Sequence, residues 1–151
     1  MKIVVSACLM GESCKYNGLD NYRRELVEAC ERTGTEVLLV CPEVFGGLPT
    51  PRKPSEIVNG EVRTCEGILV DREFRLGAQR ALDMCEQAGG PSEITACILQ
   101  DRSPSCGAGR IYDGTFSGKL TPGNGVFVDL LLRHGYRVIP ASEFDPSMLE
   151  Q

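Results

Sequence analysis

Residues 2–7 read KIVVSA and lead directly into Cys8. A short apolar run rich in β-branched side chains predicts a buried strand. Three later runs have the same character, at residues 36–40, 94–99 and 136–139. Between these runs, apolar side chains at helical spacing predict helices over 21–33, 71–87 and 126–134.

Strands alternate with helices along the chain, which is typical of a parallel sheet covered by helices on both faces. One interruption is predicted at 57–64, where Asn59-Gly60 between two short runs is a strong hairpin signal. We therefore predict a single α/β domain over residues 1–151. Its expected architecture is a three-layer, Rossmann-like parallel sheet with helices on both faces and a small hairpin insertion.

Local signals add three expectations. Asp71 is the candidate N-cap of the helix over 71–87, because a short acidic side chain can accept the free N–H groups of a first turn. The segments 41–54 and 101–125 are rich in proline and glycine, so we expect irregular loops there.

Composition excludes several classes of protein. The 151 residues carry a net charge of −5, with 42% hydrophobic and 25% charged residues, close to the globular average. No stretch approaches the ~18–20 apolar residues of a membrane helix, and the apolar run before Glu12 is too short for a signal peptide. The acidic balance argues against a large nucleic-acid footprint. We therefore expect a cytoplasmic protein with no membrane segment.

Cysteine is unusually frequent, with eight residues against a single histidine. Without an export signal the compartment is expected to be reducing, so we do not predict four disulfides. No C-x-x-C pair occurs, which excludes zinc ribbons and thioredoxin-type redox motifs. Any thiolate chemistry must therefore be assembled from distant parts of the chain.

Three cysteines follow predicted strands: Cys8, Cys41 and Cys106. Ligand sites of open parallel sheets form beyond the carboxyl ends of the strands, so these three can converge there. Three thiolates select zinc, copper(I) or an iron–sulfur cluster, whereas the plainer reading is three unrelated turns. Small buried hydrophobes are expected at the other positions, namely Cys30, Cys65, Cys85 and Cys97. Cys14 is ambiguous, since it lies only six residues beyond Cys8.

Alternatives from other classes stay open at this point. An iron–sulfur electron carrier or redox sensor would have a cysteine on every iron, with Cys14 as the fourth ligand. A structural zinc site would likewise need four ligands. A cysteine hydrolase would need a base beside its thiol, but His134 is expected at a helix end, away from the strand ends.

Five motifs in this chain together resemble the DUF523 family, whose characterised members include thiouracil desulfidases. They are VSACLMG (5–11), VCPEVFGGLPTPRKPSE (40–56), SPSCG (103–107), IYDGTFSG (111–118) and PGNGV (122–126). The resemblance extends from Ile3 to about Pro140. It implies a [4Fe–4S] cluster held by Cys8, Cys41 and Cys106, with one iron open and the cluster easily lost in aerobically prepared protein.

The resemblance also implies a non-redox reaction. Sulfur of a thiocarbonyl substrate would bind the open iron, and a water activated by a carboxylate would attack the ring carbon. Glu43 is our first choice of base, with a capping role as the plainer alternative, and Glu56 is the weaker candidate. Ser103 and Ser105 are candidates to hydrogen-bond the ring or a cluster sulfide. Further candidate contacts are Arg52, Tyr112 and Phe116.

The substrate expected from the resemblance is a small thiolated pyrimidine or nucleoside, with thiolated tRNA less favoured because the chain is acidic. Where many family members have G-x-D-V-T-x-x-F, residues 67–74 lack the aspartate and the threonine. Cys14 and Lys15 also differ from the commoner residues. The sequence carries no prediction of oligomeric state.

Overall fold

The structure, a computed structural model, describes residues 1–150. In chain order its elements are β1 (Lys2–Ser6), α1 (Arg24–Thr33), β2 (Glu36–Val40), α2 (Pro42–Phe45), β3 (Ser55–Val58), β4 (Glu61–Thr64), α3 (Asp71–Gln87), β5 (Ala96–Leu99), β6 (Arg110–Tyr112), β7 (Leu120–Pro122), α4 (Val126–Arg133) and β8 (Val138–Pro140). Short 3₁₀ turns lie at Ala7–Met10, Gly90–Ser92, Ala141–Glu143 and Pro146–Leu149. No helix in the described part of the chain is long and apolar enough to cross a membrane.

The central sheet has four parallel strands in the order β2-β1-β5-β8. The chain leaves β1 toward β2 on one side and later returns to β5 on the other. The order of strands therefore reverses between β1 and β5, the position at which open α/β sheets form a ligand crevice. Ser6 pairs with Val40, so the carboxyl ends of β1 and β2 lie level at this edge.

Helices cover both faces of the sheet, as predicted. On one face, Ile3 and Val5 of β1 pack with Leu26 of α1 and with Leu149 of the C-terminal 3₁₀ turn. On the other face, Val4 of β1 packs among buried side chains of α3 and α4. Neighbouring residues of β1 thus enter opposite cores, as the side-chain alternation of a strand requires.

The first helix begins at Arg24 rather than at residue 21. The backbone N–H groups of Asn21 and Arg23 donate to the carbonyls of Cys8 and Leu9, each at 2.9 Å. These hydrogen bonds tie residues 21–23 to the turn that follows β1, in an extended conformation. Tertiary contacts therefore override the apolar periodicity that predicted an earlier start.

Asp71 is not the N-cap of α3, although the predicted bounds 71–87 of this helix are confirmed. The N-cap residue is Val70, and no side chain caps this end. Asp71 instead accepts the Val62 N–H at 3.0 Å and the Arg75 Nε–H at 2.7 Å. Its carboxylate thereby fastens α3 to the β3–β4 hairpin.

Both segments expected to be irregular contain regular structure. The segment 41–54 begins with α2, a single helical turn, whose first residue is Pro42. The segment 101–125 contains the antiparallel hairpin of β6 and β7. A turn of four residues is too short to show helical periodicity, and proline is well suited to the first position of a helix.

Two glycines allow α2 and α3 to touch backbone to backbone. A Cβ atom built on Gly77 of α3 would lie 1.6 Å from the carbonyl oxygen of Pro42, and one built on Gly46 would lie 1.9 Å from that of Glu73. Neither position has room for a side chain. Because Pro42 lies between Cys41 and Glu43, this contact sets the position of both residues.

For Gly77→Ala we expect a loss of about 1–3 kcal/mol in the free energy of unfolding, because the backbone must move to relieve the overlap. Helix propensity alone would instead stabilise the variant by about 1 kcal/mol. Urea denaturation followed by circular dichroism distinguishes the two signs. Gln79→Ala, at an exposed position of the same helix, is the matched control. A stabilised Gly77→Ala variant would contradict the close approach.

Candidate functional site

A cavity of about 470 Å³ opens at the carboxyl ends of β1, β2 and β5. This is the edge at which the sequence places the ligand crevice. All six residues of the site predicted from the sequence line it, namely Cys8, Cys41, Glu43, Ser103, Ser105 and Cys106. Its volume is in the range of small-molecule sites.

Each of the three strand-end cysteines is held by a short turn. Cys8 lies in the 3₁₀ turn after β1, and Cys41 is the N-cap residue of α2, directly after β2. Cys106 follows β5 and is buried, and its backbone N–H donates to Ser103 Oγ at 2.7 Å. All eight cysteines are free thiols, and the predicted burial is wrong for Cys65, which is exposed in the turn after β4.

Cys14 also belongs to this site, which resolves its ambiguous position in the sequence. Hydrogen bonds with Cys41 and with Cys8 raise the pKa of the Cys14 thiol well above its usual range. Its backbone carbonyl accepts a hydrogen bond from Arg52 Nη2 at 2.8 Å. Cys14 therefore lies against two of the three strand-end cysteines, Cys8 and Cys41.

The remaining thiols differ in their tendency to ionise. The hydrogen bond from Cys14 lowers the pKa of Cys8. Asn21 Nδ2 also donates a hydrogen bond to Cys8 Sγ, at 3.4 Å. The same Cys14 thiol lowers the pKa of Cys41 to about 7. Burial and, to a smaller extent, the charges of Cys41 and Cys8 raise the pKa of Cys106 to about 12, against hydrogen bonds with Ser6 and Ser105 that lower it. The three thiols are thus close enough to influence one another's ionisation.

Cysteine sulfur is the donor that iron–sulfur clusters take. Within residues 1–150, no group of three histidine, cysteine or acidic side chains is arranged to hold one metal ion. A cubane cluster is larger than an ion, so its ligands stand further apart. Three soft sulfur donors around one cavity suit such a cluster.

Glu43 is joined to this cysteine site by hydrogen bonds. Arg52 Nε donates to its Oε1 at 3.0 Å, and the Ser105 Oγ–H donates to its Oε2 at 2.8 Å. Ser105 Oγ also lies 3.7 Å from Cys106 Sγ and 3.3 Å from Ser103 Oγ. No side chain caps α2, so the capping role considered for Glu43 is wrong.

Arg52 organises the wall of the cavity around Glu43. Its side chain is only 8% exposed and forms an ion pair with that carboxylate. Its Nη1 donates to the Pro49 carbonyl at 3.3 Å and to Thr50 Oγ1 at 3.1 Å. Arg52 therefore both braces its loop and orients the Glu43 carboxylate.

The other candidates separate into two groups. Glu56, Tyr112 and Phe116 line the cavity. His134 is exposed at the end of α4, where its Nδ1 lies 3.8 Å from Glu86 Oε1, and it does not line the cavity. A cysteine nucleophile in the cavity would therefore not have His134 as its base.

Sequence reasoning missed several lining residues, among them Asn21 and Gln100. The apolar periodicity places Asn21 in the first helix, whereas α1 begins only at Arg24 and the Asn21 amide reaches Cys8. Gln100 follows β5, and its N–H donates to Ser6 Oγ at 2.9 Å. Its position immediately after a buried strand was the only signal that could have identified it.

The whole chain is similar to known proteins of one family. The model of the 2-thiouracil desulfurase family matches residues 3–143. The uncharacterized protein YbbK of Bacillus subtilis (strain 168) is 37% identical over 153 residues, covering 95% of this chain and 97% of YbbK. A solved structure, the [4Fe-4S]-dependent thiouracil desulfidase TudS (DUF523Vcz), is 42% identical with a TM-score of 0.85, over 95% of this chain and 92% of TudS. These matches confirm the resemblance to DUF523 and the predicted α/β fold.

Proposed function

Since the chain belongs to the 2-thiouracil desulfurase family and is therefore a desulfidase acting on a C=S bond, we propose that it converts a thiolated pyrimidine of the 4-thiouracil type to the oxo base. The net reaction adds one water and releases hydrosulfide, so no electron donor is needed. The observation that carries the proposal is the meeting of Cys8, Cys41 and Cys106 with Glu43 in one cavity.

We further propose that these three cysteines hold a [4Fe–4S] cluster. Three thiolates leave one iron of such a cluster without a protein ligand, and that iron would supply a Lewis acid for a soft thiocarbonyl sulfur. The solved relative TudS is described as [4Fe-4S]-dependent. The fit of the sulfur donors around the cavity supports the same cofactor in this chain.

Glu43 is the proposed general base. Its carboxylate would accept a proton from the water that attacks the ring carbon. Arg52 would keep the carboxylate pointed into the cavity through the 3.0 Å hydrogen bond to Oε1. The neighbouring Oε2 has only the Ser105 hydroxyl as a protein partner, which leaves room for a water to bind.

Ser105 and Ser103 are proposed to orient the reacting groups. Ser105 has one hydroxyl proton, and both Glu43 Oε2 and Cys106 Sγ lie within its reach. It can therefore pass its hydrogen bond between the base and a cluster ligand. Ser103 instead holds the Cys106 backbone N–H, so it fixes the turn that carries Cys106.

The proposed substrate is a free thiolated pyrimidine or its nucleoside. A cavity of about 470 Å³ that must also contain the cluster has room for one base and not for folded RNA. Thiolated tRNA would have to offer a base turned out of its stack, so it remains the less favoured substrate.

We also propose that the protein is cytoplasmic, which its eight free thiols support. Residues 1–151 are proposed to act as one domain.

Anaerobic reconstitution with iron and sulfide tests this function. We expect about four irons per chain, as one cluster requires, and catalytic release of sulfide and uracil from 4-thiouracil. Protein taken through the same steps without iron is the control. A folded protein that takes up no iron would overturn the cofactor assignment, whereas a loaded protein that releases no sulfide would overturn the substrate assignment.

Contacts of Cys14 with Cys8 and Cys41 favour a second candidate, an iron–sulfur electron carrier with four cysteine ligands. The same reconstitution on Cys14→Ser separates the two functions. A desulfidase with three ligands keeps its four irons and its sulfide release in this variant. A carrier with four ligands loses cluster stability and shows no turnover in either protein.

A further inference from the structure

Glu56 of β3 is a buried carboxylate without a positively charged partner. It is 8% exposed and takes part in no ion pair within residues 1–150. Arg63 is its cross-strand neighbour in the hairpin, but the Arg63 guanidinium lies beside Glu61 and the Gly67 carbonyl instead. A buried carboxylate is costly unless hydrogen bonds compensate its charge.

One oxygen of Glu56 is fully used by the protein. Its Oε1 accepts the backbone N–H of Gly114 at 2.9 Å and that of Phe116 at 3.1 Å. The turn over 113–118 is therefore fastened to β3, and Gly114 packs so closely that a Cβ atom there would lie 2.6 Å from the Ile57 carbonyl oxygen. This turn carries Phe116 to the wall of the cavity.

The other oxygen is available to a ligand. Glu56 lines the same cavity as the cysteines, and its Oε2 accepts no hydrogen bond from any residue that the structure describes. Because a carboxylate has only acceptor sites, a group that binds this oxygen must be a donor. The wall belongs to the β3–β4 hairpin, whereas the sulfur donors lie at the edge of the central sheet.

We propose that Glu56 is a specificity-determining residue whose free oxygen accepts a ring N–H of the thiopyrimidine. N3, beside the thiocarbonyl carbon, carries a hydrogen in thiouracils and is an acceptor in 2-thiocytosine, and a methyl group on N1 removes the other ring N–H of both bases. An acceptor facing an acceptor leaves both groups without a partner, so the site selects uracil-like bases over cytosine-like ones. This inference rests on the proposed desulfidase function, and it assigns Glu56 to substrate recognition rather than to proton transfer.

Glu56→Gln reverses the hydrogen-bond character of the free position without removing the turn. The two backbone N–H donors require an acceptor, so they hold the amide oxygen and direct the NH₂ group into the cavity. The variant then offers a donor where the wild type offers an acceptor. Glu66→Gln, at an exposed glutamate just after the same hairpin and outside the cavity lining, is the matched control.

The test compares 1-methyl-2-thiouracil with 1-methyl-2-thiocytosine on the reconstituted wild type, Glu56→Gln and Glu66→Gln. We expect the preference for 1-methyl-2-thiouracil in kcat/KM to fall about 10- to 100-fold in Glu56→Gln, mainly through a higher KM for that substrate. Glu66→Gln should keep the wild-type preference. A purely structural role would lower the rates for both substrates and leave their ratio unchanged, which would overturn the inference.

Two further measurements keep the test independent of the variant and of activity. N1-methyl-4-thiouracil and N3-methyl-4-thiouracil each lack one ring N–H of 4-thiouracil. If the wild-type enzyme converted both compounds as fast as 4-thiouracil, the inference would be overturned. Isothermal calorimetry should show that the wild type binds 1-methyluracil more tightly than 1-methylcytosine, a preference that Glu56→Gln loses. Calorimetry therefore tests Glu56 even if sulfide release, and with it the proposed function, fails.

Discussion

Cys106→Ala should leave a folded protein that assembles no stable four-iron cluster and releases no sulfide. Cys106 is buried beside the other two thiols, and a three-ligand cluster that loses one thiolate is held at only two irons. Alanine is smaller, so the expected cost in folding is modest compared with the loss of the cofactor. Iron and sulfide content, the absorbance of the cluster and sulfide release from 4-thiouracil measure the effect.

Cys65→Ser provides the matched control for this experiment. Cys65 also lines the cavity but is exposed, and it is not among the proposed ligands. We expect this variant to bind about four irons, as one intact cluster requires. Equal iron content in Cys106→Ala and Cys65→Ser, with both proteins folded, would remove Cys106 from the ligand set.

Glu43→Gln should keep the cluster and lose most of the sulfide release. A positioned general base typically contributes about 10²–10⁴-fold to a rate, and that is the loss we expect in kcat. Glutamine keeps an oxygen at the Oε1 position and places an NH₂ group at the Oε2 position, so Arg52 keeps an acceptor for its Nε–H. Alanine would be a poorer probe, because it would leave the buried Arg52 guanidinium unpaired.

The Glu43→Gln experiment reads iron content and turnover on the same samples. Glu25→Gln, at an exposed position in the first turn of α1, controls for the loss of one negative charge. We expect this control to match the wild type in both measurements. Near wild-type turnover by Glu43→Gln would transfer the role of base to another group, whereas loss of iron would show that Glu43 supports cluster assembly.

The network around Glu43 explains why α2 is needed at this position. A turn of four residues has little stability of its own. It is held because Gly77 and Gly46 let it rest directly on the backbone of α3. Gly77→Ala and Glu43→Gln therefore probe the same site from two sides, the first through backbone position and the second through proton transfer.

The sequence pattern is sufficient to predict the layers of this protein and the edge of the sheet where its site forms. Apolar runs of β-branched residues, such as Ile3–Val5, specify buried strands, and helical spacing over 71–87 specifies α3, because burial of a periodic apolar face dominates the stability of long elements. The order of these elements places Cys8, Cys41 and Cys106 at carboxyl ends of parallel strands. Long motifs supplied the family and its cofactor.

The contacts between side chains of the site, in contrast, follow from the tertiary structure. The contact of Cys14 with Cys8 and Cys41, the Ser105 hydrogen bond to Glu43, and the use of one Glu56 oxygen by the turn over 113–118 each join residues from separate loops. Loop positions carry no periodic signal, and short elements such as α2 depend on contacts with distant parts of the chain. The sequence therefore places the candidate site at the correct edge, but its hydrogen-bond partners follow from packing.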